Sequence, residues 1–524
     1  MQFTPVLIGI AFAAVIIALT AFARRLPIPT PILQVAAGLV LGLLPGITVP
    51  ELEPELVFFA FLPPILWAAA FFTSLREFNA NIRPIGLLAI GLVLVTTAAV
   101  AVVAHTVLPG IPWAAAVALG AIVSPPDAVA AAAIISRLPV PRRVIVVLEG
   151  ESLVNDASAL VLYRTAVAAA VTGSFSIGES VVRFFIDAGV GAMIGMLVAW
   201  LTLRLARITR DPLAETLLSI TAAYIAWVAA ETVHVSAVLA CVAGGLYLRQ
   251  HYSTTVSAVS RIQSKAVWDL LIFVLNAVIF LLLGLQFGEL LKSVPMESLR
   301  SAIGNGLLIG VVAIIVRLLW VPAASAIPRW LSAELRHRDP MPPAKSLFLI
   351  GWTSMRGIVS LATALALPKL LDSGAPFPYR TEMILISMVV ILLTLVVQGL
   401  TLAPIISAFR FAPEQAHATE ERMARREALR RASEALEDVA REPDIDPADV
   451  EYLRRELTER RRYADHHGGG TASRRRLKHH LIEAQRRMIV RLRDERAISD
   501  EVLRELETEL DFEVLRLGEE PVAH

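Results

Sequence analysis

The sequence predicts an all-α membrane protein of about thirteen transmembrane helices, followed by a helical tail in the cytosol. Hydrophobic residues make up 56% of the 524 residues and charged residues only 18%, which is less charge than a soluble globular protein of this size carries. The mean hydropathy is +0.64. Apolar runs separated by short polar loops extend from Thr4 to about Phe409, and the chain becomes dense in charged residues from Arg410 onward. We therefore expect a transmembrane domain over residues 1–410 and a charged tail over residues 411–524.

The apolar runs define the predicted spans, because a helix needs ~20 apolar residues to cross ~30 Å of hydrocarbon. The predicted spans cover approximately residues 4–22, 28–46, 55–73, 84–106, 112–136, 145–172, 180–203, 213–231, 235–249, 268–290, 303–322, 346–368 and 381–407. The first run is followed by Arg24 and Arg25 and has no small-residue cleavage site, so we interpret it as a transmembrane helix and not as a removable signal.

Basic residues in the loops predict the orientation. With the N-terminus outside, most loop arginines and lysines fall on the cytoplasmic side, as the positive-inside rule requires. Loss of one span would destroy this alternation, so the charges favour an odd number of spans. We expect a multi-pass protein of the plasma membrane with its tail in the cytoplasm.

Two predicted spans are interrupted. The fifth contains Ser124-Pro125-Pro126-Asp127 and the twelfth contains the polar, glycine-flanked residues 351–357. Consecutive prolines break a helix, and irregular backbone at this depth is tolerated only inside protein or beside a wet cavity. Interruptions seven spans apart predict two inverted six-helix repeats, with the seventh span as connector. Such paired broken helices are typical of the central site of a transporter.

The sixth span carries the polar residues Glu151, Ser152, Asn155 and Asp156. Their i,i+4 spacing places them on one broad face of the helix. Asp156 lies about eleven residues, or ~16 Å, from the cytoplasmic end of its span, and Asp127 reaches a similar depth. Ionisable groups at the midplane are typical of transport, gating or proton movement.

The residue types at this depth suit a hard monovalent cation, which prefers oxygen ligands. We predict Asp156 and Ser152 as Na⁺ ligands, together with backbone carbonyls freed near Pro125 and Pro126. A proton and a cation would compete for the Asp156 carboxylate, and that competition would couple the two fluxes.

Simpler roles remain open for the neighbouring residues. Asp127 could cap the helix that restarts after the prolines, alongside an electrostatic role. Asn155 could have no role beyond a hydrogen bond across the break, and Glu151 could pair with Arg356 to stabilise the fold. Arg317, like several other charges in the spans, is expected to be structural or interfacial.

Four segments make the chain resemble the monovalent cation:proton antiporter family, which contains bacterial NhaP-type proteins and animal sodium/proton exchangers. They are residues 61–66 (FLPPIL), 124–130 (SPPDAVA), 149–156 (EGESLVND) and 355–362 (MRGIVSLA), in the family's order across the membrane domain. The resemblance implies thirteen helices, a homodimer, an elevator-like movement and electroneutral exchange of one cation for one proton.

Matching positions assign the family's roles to this chain. The resemblance implies Asp156 as the ion carrier, Ser152 as a ligand and Glu151 bonded to Arg356. Relatives often have Thr where this chain has Pro126, so only a backbone carbonyl is offered there. The third span is apolar at residues 67–70, where some relatives carry an acidic residue.

The tail shows helical spacing over residues 415–463 and 472–518, with interruptions at Pro443 and Pro447. We expect a small helical hairpin or bundle, either a solvated appendage or a regulatory or dimer-stabilising unit. The sequence shows no nucleotide loop, catalytic triad or metal-spaced cluster, so we expect no enzyme, no cofactor and no nucleic-acid partner.

The function predicted from the sequence is export of Na⁺, or of Li⁺ or K⁺, in exchange for protons. A K⁺/H⁺ antiporter, a passive cation channel and a transport-dead membrane sensor are the alternatives.

Overall fold

The computed structural model describes residues 4–23, 28–45, 53–135, 138–173, 177–209, 211–411, 415–441, 445–465, 472–495 and 497–517. The chain divides into two compact units, Met1–Ala412 and Pro413–His524. Every regular element within the described residues is helical.

The first unit begins with helices that include one π-helical turn. They are α1 (Thr4–Ala23), α2 (Thr30–Leu43), α3 (Pro54–Phe72), α4 (Leu75–Ala80), α5 (Ile82–Gly86), the π-helical turn Leu87–Leu92, α6 (Val93–Val107), α7 (Trp113–Val123), α8 (Ala128–Ile135) and α9 (Arg142–Thr172). The unit continues with α10 (Ile177–Thr209), α11 (Pro212–Thr232), α12 (Ala237–Thr255), α13 (Ala258–Ser293), α14 (Met296–Leu331), α15 (Ala333–Arg338), α16 (Ala344–Trp352), α17 (Ile358–Leu365) and α18 (Arg380–Phe409).

Helices occupy all thirteen predicted segments. The fifth and twelfth segments are each divided into two helices, the fourth consists of α5, the π-helical turn and α6, and each of the others is a single helix. Seven helices of the described residues are long and apolar enough to cross a bilayer by length and composition. The protein is therefore an all-helical membrane protein. The halves of the two broken helices are too short to span alone, and the count of thirteen spans stays a prediction.

The membrane unit contains two main hydrophobic cores. One is formed mainly by α6–α9, α14 and α16–α18, and the other by α3 and α10–α13. Helix α9 contributes to both, with Val147 in the first core and Ala157 in the second. The helix with the polar motif thus lies between the two cores.

Helices α2 and α13 pack backbone against backbone. A Cβ atom on Gly38 would lie 2.1 Å from the Leu281 carbonyl oxygen, and one on Gly284 would lie 2.1 Å from the Val35 carbonyl oxygen. Small residues allow this approach, and such contacts drive helix association where lipid removes the hydrophobic effect.

The second unit contains two helix pairs. Helices α19 (Gln415–Val439) and α20 (Pro447–Asp465) pack together, as do α21 (Ala472–Asp494) and α22 (Asp500–Leu517). Arg454 donates to Glu437 at 2.8 Å across the first pair. Pro447 is the first residue of α20, where its missing N–H has no helical acceptor to lose. The predicted interruption at Pro443 lies outside the described residues.

Candidate functional site

The two broken helices cross at their breaks. Helix α7 ends at Val123 and α8 begins at Ala128, while α16 ends at Trp352 and α17 begins at Ile358. The backbone N–H of Asp127 donates to the Met355 carbonyl at 2.6 Å. Each break therefore supplies a backbone partner to the other, in the interior of the protein where water is not available.

Arg356 binds the carbonyl groups at these breaks. Its Nε donates to the Val123 carbonyl at 2.9 Å, and its Nη1 donates to the carbonyl and hydroxyl oxygens of Ser354, both at 2.6 Å. The side chain is only 1% exposed. Since the C-terminal end of a helix carries partial negative charge, this guanidinium compensates the ends of α7 and α16.

Asp127 lies directly before α8, so its negative charge is at a helix N-terminus, whereas the positive charge of Arg356 is at helix C-termini. A Cβ atom on Gly357 would lie 1.7 Å from Asp127 Oδ2, so the carboxylate also lies against the residue that precedes α17. Helix N-termini carry partial positive charge. Asp127 thus faces two helix N-termini, which fits the capping and electrostatic roles considered from the sequence.

Asn155 joins α9 to the first break. Its Nδ2 donates to the Pro126 carbonyl at 2.8 Å, which is the hydrogen bond across the break that the sequence suggested. The residue is fully buried, and its Oδ1 has no partner among the described residues. A buried acceptor without a donor costs free energy and leaves an oxygen available beside Asp156.

Asp156 lies near the middle of the 31-residue helix α9 and is 8% exposed. The described residues donate no hydrogen bond to its carboxylate, and the negative charge of Asp127 acts on it. Ser152, one turn before, is half-buried. The structure therefore brings Asp156, Asn155, Pro126 and Asp127 together.

The expected pairing of Glu151 with Arg356 is wrong. The hydrogen bonds to the Glu151 carboxylate come from Arg317 of α14, from Nη1 to Oε1 and from Nη2 to Oε2, the latter at 2.7 Å. Arg356 is close enough for its charge to interact with Glu151, but its guanidinium is engaged by the break carbonyls. Glu151 and both arginines are buried.

A cavity of about 840 Å³ extends towards this site from the C-terminal end of α9, which is at Thr172. Its walls come from α9 to α12, and it includes Ala157, the residue after Asp156. Arg164 and Glu231 line it and pair at 3.0 Å. Arg164 is thus both a paired and a cavity-lining residue.

Sequence reasoning missed Thr394 of α18, whose hydroxyl accepts a hydrogen bond from the Arg356 backbone N–H at 3.1 Å. It also missed Ser354 as a partner of Arg356. An isolated hydroxyl residue in an apolar helix gives no sequence signal that distinguishes it from one bonded to its own helix.

The chain matches the family model described as sodium/hydrogen exchanger, transmembrane, over residues 10–408. It is 34% identical to an uncharacterised Na⁺/H⁺ exchanger of Mycobacterium bovis, with 97% of this chain and 95% of the relative covered. It is also 34% identical to a sodium, potassium, lithium and rubidium/H⁺ antiporter of Bacillus subtilis, over 75% of this chain and 61% of that protein.

The fold is similar to a solved structure, the sodium proton antiporter MjNhaP1 of Methanocaldococcus jannaschii. The TM-score is 0.62 at 19% identity, with 79% of this chain and all of that chain covered. This similarity supports the helical arrangement described above.

Proposed function

The chain belongs to the sodium/hydrogen exchanger family, and we propose that it exports Na⁺ across the plasma membrane in exchange for protons, with Asp156 holding each in turn. It is a multi-pass membrane transporter and not an enzyme, in the class of monovalent cation/proton antiporters. The identity of the cation and the role of each residue are the proposed parts.

The state of Asp156 is the observation on which the proposal rests. The carboxylate is nearly buried at mid-helix, receives no hydrogen bond from the described residues and adjoins a large cavity. A buried carboxylate without a partner is costly when ionised. Binding of either one proton or one monovalent cation removes that cost, so the two compete for one site.

The other buried charges of the site already have compensating partners, so Asp156 is the group whose charge we propose to change during exchange. Arg356 faces the negative helix ends, Asp127 faces the positive helix ends, and Glu151 is closed by Arg317. These groups compensate one another or fixed helix dipoles. Loading Asp156 therefore neutralises the site locally, which lowers the cost of moving it through a low-dielectric region.

We propose four oxygen donors for the cation. They are the Asp156 carboxylate, the Ser152 hydroxyl, the free Oδ1 of Asn155 and the Pro126 carbonyl, whose second lone pair is not used by Asn155. Oxygen ligands of this kind suit a hard cation.

Exchange requires that the site open to each side in turn. We propose that α9 and the crossed helices move together against the α10–α12 region, in an elevator-like movement within a homodimer of thirteen-helix protomers. The 840 Å³ cavity, which lies between α9 and these helices, supports such a boundary. With the N-terminus outside and the tail cytoplasmic, this cavity faces outward.

The proposal is tested with purified protein reconstituted into liposomes that enclose a pH dye. Asp156→Asn should reduce cation-driven proton flux to the level of empty liposomes, because the amide can neither release a proton nor neutralise a cation. Asp269→Asn is the matched control, since Asp269 is an exposed partner of Lys265 on α13, and it should retain exchange. Undiminished flux in Asp156→Asn would refute the proposal.

K⁺/H⁺ exchange is the second candidate. Pro126 offers no hydroxyl ligand, and the Bacillus subtilis relative is named for exchange of sodium, potassium, lithium and rubidium. Proton flux in the same liposomes with Na⁺, K⁺, Li⁺ or Rb⁺ separates the two candidates. An imposed voltage distinguishes exchange from a channel, because a channel would conduct cations without an obligatory proton counterflow.

A further inference from the structure

A second cavity, of about 380 Å³, lies at the N-terminal end of α9, which begins at Arg142. Its walls come from α5, the π-helical turn, α9, α14 and α16, with residues 409–411 at the mouth. Val147 is its lining residue nearest in sequence to Asp156, about 13 Å away along α9. The cavity is thus separate from the proposed ion site and at the opposite end of the helix.

The interior of this cavity is apolar. The lining side chains of its inner part are Leu87, Val144, Val147, Val321, Leu347 and Ile350. Trp320 reinforces this wall by donating from Nε1 to the Leu87 carbonyl of the π-helical turn at 3.0 Å. Such a lining suits hydrocarbon better than a free polar solute.

The mouth of the cavity is strongly basic. Arg83, Arg143, Lys345 and Arg410 line the cavity and are partly or fully exposed, and a fifth lining cation, Arg329, is buried.

One carboxylate serves three of these cations. Asp339 accepts from Arg83 at 2.6 Å, from Arg143 at 2.9 and 3.1 Å, and from Arg329 at 2.7 Å. Lys345 donates to the Phe409 carbonyl, which carries no net charge. Within the described part of the chain, the mouth therefore keeps an excess of positive charge that a further anion would offset.

The two properties together define a ligand with an anionic head and a hydrocarbon chain. A phosphate accepts paired hydrogen bonds from arginine, and a basic pocket between transmembrane helices at the membrane surface is suited to an anionic lipid headgroup. This end of the domain is also the one where the loop arginines and lysines concentrate. A free anion would gain nothing from the apolar interior.

We propose that this cavity binds an anionic phospholipid, with its phosphate at the Arg83–Arg143–Arg329 cluster and the start of an acyl chain in the apolar interior. The lipid would join α5, α9, α14 and α16. Ile350 lines the cavity and its carbonyl accepts from Arg317 Nε at 3.2 Å, so occupancy would also stabilise the Glu151–Arg317 region. The proposal does not depend on which cation is exchanged.

Binding is measured by native mass spectrometry and thermal unfolding of the purified full-length protein in neutral detergent. The probes are phosphatidylglycerol and phosphatidylcholine with identical acyl chains. We expect phosphatidylglycerol to bind and raise the melting temperature, and phosphatidylcholine to do so much less. Equal effects of the two lipids would overturn the proposal. Glycerol phosphate and inorganic phosphate are tested separately, and a shift as large as that of the lipid would indicate a soluble-anion site instead.

Three variants localise the effect. Lys345→Gln with Arg410→Gln removes two exposed charges that do not bond to Asp339 and should weaken phosphatidylglycerol binding about tenfold. Ala324→Trp fills the cavity from α14 with the charges intact and should abolish the lipid shift. Arg142→Gln is the matched control, because Arg142 adjoins Arg143 but pairs with Glu77 and does not line the cavity. Wild-type binding in both test variants, or an equal loss in Arg142→Gln, would contradict the proposal.

Discussion

Two carboxylates of α9, Glu151 and Asp156, lie five residues apart in the same protein interior and have opposite surroundings. Glu151 is 1% exposed and receives two hydrogen bonds from Arg317. Asp156 is 8% exposed and receives none from the described residues. The first charge is permanently compensated by the protein, whereas the second is available to a proton or a cation.

The difference shows that burial alone does not identify a transport residue. Both groups carry the cost of leaving water, but only one has a protein partner that offsets it. The crossed helices extend the same principle, since Arg356 and Asp127 are committed to opposite helix ends. What distinguishes Asp156 is that no described residue donates a hydrogen bond to its carboxylate.

Removal of Arg317 should have the largest effect on stability. Arg317→Met leaves Glu151 buried without its donor, and the loss of one partner from a buried pair costs about 3–5 kcal/mol. The double variant Glu151→Leu with Arg317→Met should regain much of that loss, because neither charge remains. Thermal unfolding of purified protein measures both, and an unchanged melting temperature for Arg317→Met would show that the pair is not structural.

Gly357→Ala should have the next largest effect. The added Cβ would collide with the Asp127 carboxylate, and overpacking of an interior costs about 1–3 kcal/mol. The displaced carboxylate should also lower exchange in liposomes. Gly304→Ala on α14 is the control, because nothing lies within 4 Å of its added Cβ. Equal behaviour of the two variants would contradict the close approach of the crossed helices.

Asp156→Asn should raise the free energy of unfolding, but by less than about 1 kcal/mol, in contrast to the large loss expected for Arg317→Met. The substitution keeps the shape of the side chain, removes an uncompensated charge and breaks no hydrogen bond from the described residues. A large fall in melting temperature at neutral pH would mean that Asp156, like Glu151, has a structural partner.

The smallest effect concerns Asp339. Burial raises the pKa of this carboxyl, but the hydrogen bonds and charge of Arg143, with the charges of Arg329 and Arg83, outweigh burial and hold the pKa below its usual value. A lowered folded-state pKa stabilises the protein above the unfolded value, and that contribution disappears as pH falls through the folded value. Asp339→Asn should therefore destabilise at neutral pH by less than about 1 kcal/mol, since the group is partly exposed.

Melting temperatures measured over a range of pH provide the control for Asp339→Asn. The difference in melting temperature between wild type and Asp339→Asn should shrink as pH falls below about 4. A difference that grows in acid would show that the Asp339 pKa is raised.

Much of the fold could be predicted because hydrophobic runs and proline pairs are local signals. The run lengths placed the helices, and Pro125, Pro126 and Gly357 placed the breaks. The partner of Glu151 could not be predicted in the same way. Arg317 and Arg356 are both far away in sequence and both buried, and only packing shows that the carbonyls of the breaks engage Arg356. The hydrogen bond from Asn155 could be predicted, because the helix break at the prolines frees the Pro126 carbonyl to accept a hydrogen bond at the depth of Asn155.

Proton release on cation binding shows whether the exchanged proton and the cation share the Asp156 carboxylate. Purified wild-type protein in weakly buffered detergent solution should release up to one proton for each Na⁺ bound, most clearly at a pH where Asp156 is protonated, because both ions occupy the Asp156 carboxylate. Asp156→Asn should release none, while Asp269→Asn should match wild type. Equal proton release from Asp156→Asn and wild type would show that the exchanged proton resides on another group.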